Sequence, residues 1–246
     1  KCIEDYSLDS AFRAMPIETL INVAGVVLNK TGHVCKKSVV GEFNDFKETF
    51  MEPVEDGKFY ECFIPQAEAG MRYRYRIYTN EEEYCDHCDP YGFAMEVRPG
   101  YHSVIFDLKE YRFQDEAWIA GREEKKEKPL SVYEVHLGSF LKGQGGNWLT
   151  YEEFSEKLVS YVKNMGYNYI QFLPLAEHPL DESWGYQTTG FFSPTSRYGS
   201  GNGLKKLIDI CHQNEIGVIM DCNVVNFAID SYGLADYDGH PLYEYS

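Results

Sequence analysis

The hydrophobic period of this sequence changes once, near residues 121–130. Upstream, apolar residues alternate with polar ones. Downstream, short apolar runs are separated by stretches with apolar residues at helical spacing. A chain with that switch folds as two different kinds of layer, so the fold class follows from it before any motif is read. The upstream signal is clearest at Met71-Arg72-Tyr73-Arg74-Tyr75-Arg76-Ile77-Tyr78, where three arginines alternate with Tyr73, Tyr75 and Ile77. That is the pattern of a half-buried antiparallel strand. The arginines read as a solvated sheet face or, in the sharper reading, as a stripe binding phosphate or carboxylate. Residues 20–28, 34–40, 59–64 and 104–108 also read as strands. Gly41-Glu42-Phe43-Asn44-Asp45, Asp56-Gly57 and Pro65 punctuate them. Several short strands at this spacing predict an immunoglobulin-like β-sandwich over residues 1–120.

The switch itself falls on Gly121-Arg122-Glu123-Glu124-Lys125-Lys126-Glu127-Lys128-Pro129. It is charged with no apolar face, and residues 121–130 read as a solvated linker. From 131 to 246 the pattern is strand, helix, strand, helix, strand. Residues 132–137 form an apolar run. Thr150 with Glu153 makes a capping box. Phe154, Leu158, Val162 and Met165 fall on one helical face, and Gly166 sits at its stop. Residues 169–173 are the next strand. A long loop, 174–202, precedes a second helix marked by Leu204, Leu207, Ile208 and Cys211, which stops near Gly217. Residues 218–221 close the series, apolar and then abruptly acidic at Asp221. Alternation at this spacing means parallel strands. A dinucleotide-binding sheet needs a glycine fingerprint after its first strand, and Gly138 and Gly143 are poorly spaced for one. The first three βα units of a TIM (β/α)8 barrel fit better. Chemistry in such barrels sits at the C-terminal strand ends, here His136, the 174–202 loop, and Asp221 with Asn223 and Asn226.

Charge bounds the ligand. With 23 basic and 39 acidic side chains the net charge is −16, which argues against nucleic acid as partner, since a phosphate binder needs a basic face. Neutral or cationic substrates fit. No run of 18 apolar residues reads as a membrane span, and the N-terminus has no signal-peptide pattern. Seven cysteines without a paired spacing read as reduced thiols in a cytoplasmic protein. Cys85-Asp86-His87-Cys88 lacks a second ligand pair and reads as ordinary thiols in a loop, so neither metal nor cofactor is expected.

The 174–202 loop mixes Glu177, His178, Asp181, Glu182, Trp184, Tyr186, Gln187, Phe191, Phe192, Arg197 and Tyr198. Flat side chains beside hydrogen-bonding groups suit sugar rings, whose C–H faces stack while their hydroxyls bond. A packed loop capping the sheet is the alternative. Asp221 at the end of an apolar strand either anchors loops or faces substrate. His136 is either a satisfied strand-end residue or a ligand contact. His178, before Pro179, reads as a loop hydrogen-bonder.

Several segments carry a family resemblance. Ser131-Val132-Tyr133-Glu134-Val135-His136-Leu137-Gly138-Ser139-Phe140 resembles the first barrel strand of bacterial 1,4-α-glucan (glycogen) branching enzymes of the α-amylase superfamily. Leu173-Pro174-Leu175-Ala176-Glu177-His178-Pro179, followed by the run from Ser183-Trp184-Gly185-Tyr186-Gln187 to Arg197-Tyr198-Gly199, resembles their second strand and loop. Upstream, Val39-Val40-Gly41-Glu42-Phe43-Asn44-Asp45-Phe46 and Asp89-Pro90-Tyr91-Gly92-Phe93 resemble the family's carbohydrate-binding-module-like sandwich. The resemblance runs from about residue 38.

The resemblance implies transfer of an α-1,4 glucan segment to an α-1,6 branch point by a retaining mechanism with an aspartate nucleophile and a glutamate acid/base. The implied partners are glycogen, amylose or malto-oligosaccharide. The implied substrate-binding residues are Tyr186, a platform under the sugar, and Asp221, which organises that subsite, with Trp184, Gln187 and Asn226. Asn226 stands where the family has a histidine. It hydrogen-bonds but carries no charge. The sandwich's Trp-Ala-Pro signature is missing near residues 27–30. No residue matches the nucleophile, the acid/base or the third catalytic aspartate, which are expected downstream of Ser246. The 246 residues are therefore read as a truncated N-terminal portion, inactive alone, with an open sheet edge and marginal stability. The alternatives are a non-catalytic glucan-binding protein, which Asn226 favours, and a debranching enzyme or trehalohydrolase.

Overall fold

The computed structural model describes residues 36–54 and 59–239. The strand expected at 20–28, the start of the one at 34–40, the Asp56-Gly57 turn and the 27–30 signature position lie outside them. Among the described residues the chain forms two compact units. One comprises the stretch up to Gly92, His102–Asp107 and the residues from Ile229 onward. The other comprises Phe93–Tyr101 and Leu108–Ala228.

The first unit is all β. Its main sheet has the order β2 (Thr49–Phe50), β1 (Lys36–Gly41), β5 (Arg72–Tyr78), β6 (Tyr84–His87), and β7 (Ser103–Val104) also pairs with β5. All pairings are antiparallel. A separate ladder joins β3 (Glu52–Val54) to β4 (Phe59–Glu61). The expected alternation is present in β5. Tyr73, Tyr75 and Ile77 are buried with Val39, Val40 and Met51, while Arg72, Arg74 and Arg76 are half-exposed.

The arginine face is partly solvated and is paired within the chain. Arg72 Nε and its backbone N–H donate to Glu42 at 3.0 and 2.8 Å. Arg76 donates to both Asp86 oxygens at 2.8 and 3.1 Å, and Arg74 Nε lies 3.0 Å from Asp86. The cross-strand neighbour consumes the charge. Asp86 lies in β6, not a loop. In that strand Asp86 faces the arginines, while Cys85 and His87 share the other face, Cys85 exposed and His87 buried.

The core of this unit holds a buried carboxyl. Asp89 accepts Tyr73 Oη–H at 2.6 Å and the Tyr91 N–H at 2.8 Å. Burial still pushes its pKa from 3.8 up to about 6. The native state thus binds more protons than the unfolded chain between those values, and stability falls as pH rises through the window. Asp89→Asn removes that dependence. Its stability relative to wild type, from urea unfolding, is expected to improve by about 3 kcal/mol between pH 3.5 and pH 7. A pH-independent difference would show that the carboxyl is not held protonated.

The second unit is built on a three-stranded parallel sheet of order β12 (Gly217–Met220), β9 (Tyr169–Phe172), β8 (Val132–Val135). Helix α4 (Tyr151–Met165) connects β8 to β9, and α5 (Gly201–Gln213) connects β9 to β12. The Thr150 capping box is formed. Its Oγ1 accepts from Glu153 N–H, and Glu153 accepts from Thr150 N–H at 2.7 Å. Gly166 ends α4 at φ 80°, a backbone state that costs an L side chain energy. Phe154, Leu158 and Val162 pack with Ile170, Phe172, Leu207 and Cys211 in one core.

Several details depart from the expected pattern. Met165, the last residue of α4, is 58% exposed and does not join the buried face. Helix α5 stops at Gln213, and Gly217 instead opens β12. Strand β8 ends at Val135, and a short helix α3 (Leu137–Phe140) follows. Among the described residues β12 is followed by irregular chain, so two βα units and a third strand are present. The 174–202 stretch is an ordered hairpin of β10 (Ala176–Glu177) and β11 (Gly190–Pro194), with one 3₁₀ turn (Asp181–Ser183) in its loop and another (Ser196–Tyr198) after it.

The expected linker is also structured. Helices α1 (Glu116–Ala120) and α2 (Arg122–Lys126) adjoin there. Trp118 is buried, stacked on His212 at 4.9 Å, and Lys125 Nζ sits 4.8 Å over its ring while pairing with Glu215. A charged segment finds an apolar partner by laying a lysine stem across an aromatic face. The two units accordingly part in sequence between residues 92 and 108, earlier than 121–130.

Candidate functional site

The C-terminal ends of the three parallel strands carry the candidate site. Asp221 directly follows β12, and its N–H donates to Phe172 O of β9 at 3.0 Å. This prolongs the parallel ladder by one step and fixes where the carboxylate starts. Tyr186 reaches it from the β10–β11 loop. Tyr186 Oη–H donates to Asp221 Oδ2 at 2.7 Å. That hydrogen bond, and then burial, raise the tyrosine pKa, so the hydroxyl stays protonated as a donor. Asn223 Nδ2 donates to Tyr186 O at 2.5 Å and to Asn226 Oδ1 at 2.6 Å. A parallel bridge between Thr188 and Phe227 and the bond from Ala228 N–H to Thr188 O at 2.9 Å lay the 221–228 segment alongside the loop. Tyr186, Asp221 and Asn226 are thereby brought together, although 40 residues separate the first from the last.

Trp184 and Gln187 complete the expected set in different ways. Gln187 is exposed beside Tyr186. Trp184 is 53% exposed and stacks on His136 with ring centroids 5.9 Å apart. The chain turns sharply here. Trp184 has φ 55° and Gly185 φ 88°. A Cβ on Gly185 would lie 2.2 Å from the Pro174 carbonyl oxygen. Only glycine lets the loop lie this close to the segment after β9, so the tryptophan and tyrosine diverge from one point.

Below the loop lies a charged network that sequence reading did not separate from the sugar-site candidates. Glu177 and Arg197 are buried, with Arg197 Nη1 donating to Glu177 Oε1 at 2.9 Å. Glu177 also accepts from Thr195 Oγ1 at 3.0 Å, Ser196 N–H at 2.7 Å and Ser196 Oγ at 2.6 Å. Arg197 reaches His178 O at 2.7 Å and Asp181 Oδ1 at 2.7 Å, and Arg98 pairs with Asp181 from the other side. Burial alone would raise the Asp181 pKa. The Arg197 hydrogen bond and the charges of Arg197 and Arg98 outweigh it and hold the carboxyl below its ordinary value. His178 Nδ1 lies 2.8 Å from Ala176 O, and burial lowers its pKa. Glu177 and Arg197 hold the loop from within, while His178, Asp181 and Arg197 also border the adjoining cavity. The signal that could have separated it was Glu177 inside an apolar run, where only a buried partner makes a carboxylate tolerable.

A cavity of about 320 Å³ adjoins the site, lined by residues that include His136, Gly138, Ser139, Lys142, Trp148 and Trp184. Sequence reading missed Ser139, Lys142 and Trp148. Among the described residues no group of three His, Cys, Asp or Glu side chains is arranged to hold a metal ion, and no helix is long and apolar enough to cross a membrane.

Comparison with known proteins agrees with this architecture. Residues 134–236 match the alpha-amylase catalytic domain family, and residues 36–92 match carbohydrate-binding module 48, the isoamylase N-terminal domain. The chain is 43% identical over 217 residues to the 1,4-alpha-glucan branching enzyme GlgB of Bacillus subtilis, covering 87% of this chain and 35% of that protein. It is 46% identical over 211 residues to that of Desulfitobacterium hafniense, covering 84% and 33%. The chain thus spans about a third of the length of these curated relatives. Among solved structures it resembles a putative alpha amylase from Salmonella typhimurium, with TM-score 0.66, 23% identity, and coverage of 82% of this chain and 31% of that one. It also resembles a pullulanase from Anoxybacillus sp. LM18-11 solved with maltotetraose, with TM-score 0.59, 20% identity, and coverage of 77% and 32%. At these identities the structural likenesses speak for the fold alone. Over most of its length the chain resembles branching enzymes, with a carbohydrate-binding-module unit followed by the start of an alpha-amylase catalytic domain.

Proposed function

We propose that these residues supply the sandwich and the first strands of the (β/α)8 barrel of a 1,4-α-glucan branching enzyme acting in the cytoplasm. We further propose that Tyr186, Asp221, Asn226, Trp184 and Gln187 form its glucan-binding face for glycogen, amylose or malto-oligosaccharide. The observation that carries this reading is the Tyr186–Asp221 hydrogen bond at the C-terminal end of a parallel sheet. A half-exposed phenol ring held by a carboxylate is a rigid, flat surface for the C–H face of a glucosyl ring, and it binds without ordering cost. The second carboxylate oxygen and the amides of Gln187 and Asn226 supply partners for hydroxyls. Neutral glucan also suits a chain of net charge −16.

In a retaining transfer the nucleophile and acid/base flank the scissile bond. The part played here is to seat the sugar, while the catalytic carboxylates belong to strands that extend this sheet. Met220, Val224 and Val225 are exposed where such strands would pack. Tyr186→Ala is expected to weaken retention in glycogen affinity electrophoresis at least tenfold, and Tyr186→Phe much less, because the ring remains. Unchanged retention by Tyr186→Ala would refute the assignment. The purified 246-residue chain is expected to form no new α-1,6 linkages from amylose, and their appearance would place the catalytic groups within it. Asn226 in the histidine position favours a second reading, a glucan-binding protein without catalysis. In that case Asn226→His placed in a chain extended by a relative's remaining barrel would still give no branching activity.

A further inference from the structure

We propose that Asn223 is a positioning residue that sets the polarity of Asn226, so that the strand-end face offers a glucan hydrogen-bond donors there and not an acceptor. This rests on the glucan reading above.

The two ends of an asparagine amide have nearly the same shape, and only their partners tell them apart. Here the partners leave one order. The end of Asn223 that lies 2.5 Å from the Tyr186 carbonyl oxygen must be its NH2, because a backbone carbonyl only accepts. Its other end accepts from the Val225 N–H at 3.3 Å, as only the oxygen can. One backbone acceptor and one backbone donor thus hold Asn223 in a single sense. The same NH2 lies 2.6 Å from Asn226, so the Asn226 atom that faces it is the oxygen. The Asn226 NH2 is left for a ligand. Asn226 is exposed, and among the described residues nothing accepts from that nitrogen.

The consequence is chemical. Tyr186 spends its hydroxyl on Asp221, which leaves the second carboxylate oxygen as an acceptor. Asn226 in the opposite sense would add another acceptor, and acceptors alone in a chain of net charge −16 suit a cation. With the NH2 outward, the face holds an acceptor and a donor. Neighbouring sugar hydroxyls match both, one donating and one accepting. Tyr186 therefore sets the face twice, through its ring at Asp221 and through its carbonyl at Asn223.

Side-chain amide signals in the nitrogen–proton spectrum of the labelled full chain read this order directly. Without sugar, the Asn223 amide hydrogens are bonded and are expected to exchange with water at least about threefold more slowly than those of Asn226. Saturating maltoheptaose is expected to shift the Asn226 amide signals. Asn223→Asp keeps the shape but replaces the donor with a carboxylate, which draws the Asn226 NH2 inward and turns its oxygen outward. Glycogen retention in affinity electrophoresis is then expected to fall about tenfold, because one hydrogen bond to the glucan is replaced by an unmatched acceptor. The Asn226 signals are expected to stop responding to saturating maltoheptaose while those of Gln187 still respond. Asn223→Ala frees Asn226 without reversing it and is expected to cost about threefold. Backbone signals check the fold of both variants, and the exchange order in the unaltered chain needs neither. Unchanged glycogen retention in Asn223→Asp overturns the proposal. So does faster exchange at Asn223 than at Asn226, or an Asn226 amide in the unaltered chain that ignores saturating sugar. If Tyr186→Ala loses retention alongside any of these, the glucan reading stands. An unaltered chain that does not retain glycogen sinks that reading, and the proposal with it.

Discussion

Arg197→Leu is expected to cost about 3–5 kcal/mol of stability, because it removes one partner of a buried ion pair and leaves the other charged. The Arg197 side chain is 2% exposed and that of Glu177 7%. The guanidinium also bonds the carbonyls of His178 and Pro179 and the Asp181 carboxylate. Four points of the 177–181 segment thus lose their tether at once, and the 3₁₀ turn Asp181–Ser183 that leads into Trp184 loses its anchor. Urea unfolding followed by tryptophan emission measures the loss. The pair is expected to be coupled, so Arg197→Leu combined with Glu177→Gln should recover a substantial part of it. Leucine at 197 costing under about 1 kcal/mol would mean that the charge of Glu177 is not buried in solution.

Gly185→Ala is the second large effect. Two costs add at this position. The residue sits at φ 88°, where a side chain is strained, and its Cβ would meet a backbone oxygen at 2.2 Å, which no rotamer change relieves. Strain of about 1–3 kcal/mol and overpacking of similar size predict a loss of about 3 kcal/mol or more. Glucan retention should fall with it, since Trp184 and Tyr186 flank the displaced residue. Gly166→Ala is the matched control. It has φ 80° but nothing within 4 Å of the new Cβ, so only the left-handed penalty of about 1 kcal/mol applies. Equal losses at the two positions would show that the contact with Pro174 O is not what makes Gly185 necessary.

What could be read from residue order differs from what could not in a physically simple way. The capping box at Thr150, the Gly166 stop, the alternation in β5 and the apolar faces of α4 and α5 all concern residues within four or five positions of one another. Side-chain period and capping chemistry are local, so they survive in the sequence. The segment at 121–130 was misread because its apolar contact, Trp118 under Lys125, is made by a charged side chain. The partners of the β5 arginines were not legible, because they lie one strand away, at Asp86, and 30 residues away, at Glu42.

The same division holds at the site. Sequence alone put Tyr186, Asp221 and Asn226 in segments that follow strands of one parallel sheet, because alternating β and α at that spacing reads as parallel strands whose C-terminal ends share one side, and the family resemblance singled these residues out there. Only the tertiary structure decided which loop residues look outward and which look in. Glu177 and Arg197 carry charges as Asp221 and Lys142 do, but they are consumed internally, because burial leaves a charge stable only beside its opposite. Only the tertiary structure, too, joined Lys142 and Trp148 from the β8 side to Trp184 from the β9 side around one cavity. Chain distance carries no information about such a meeting, which depends on how the two segments after the strands pack over the sheet.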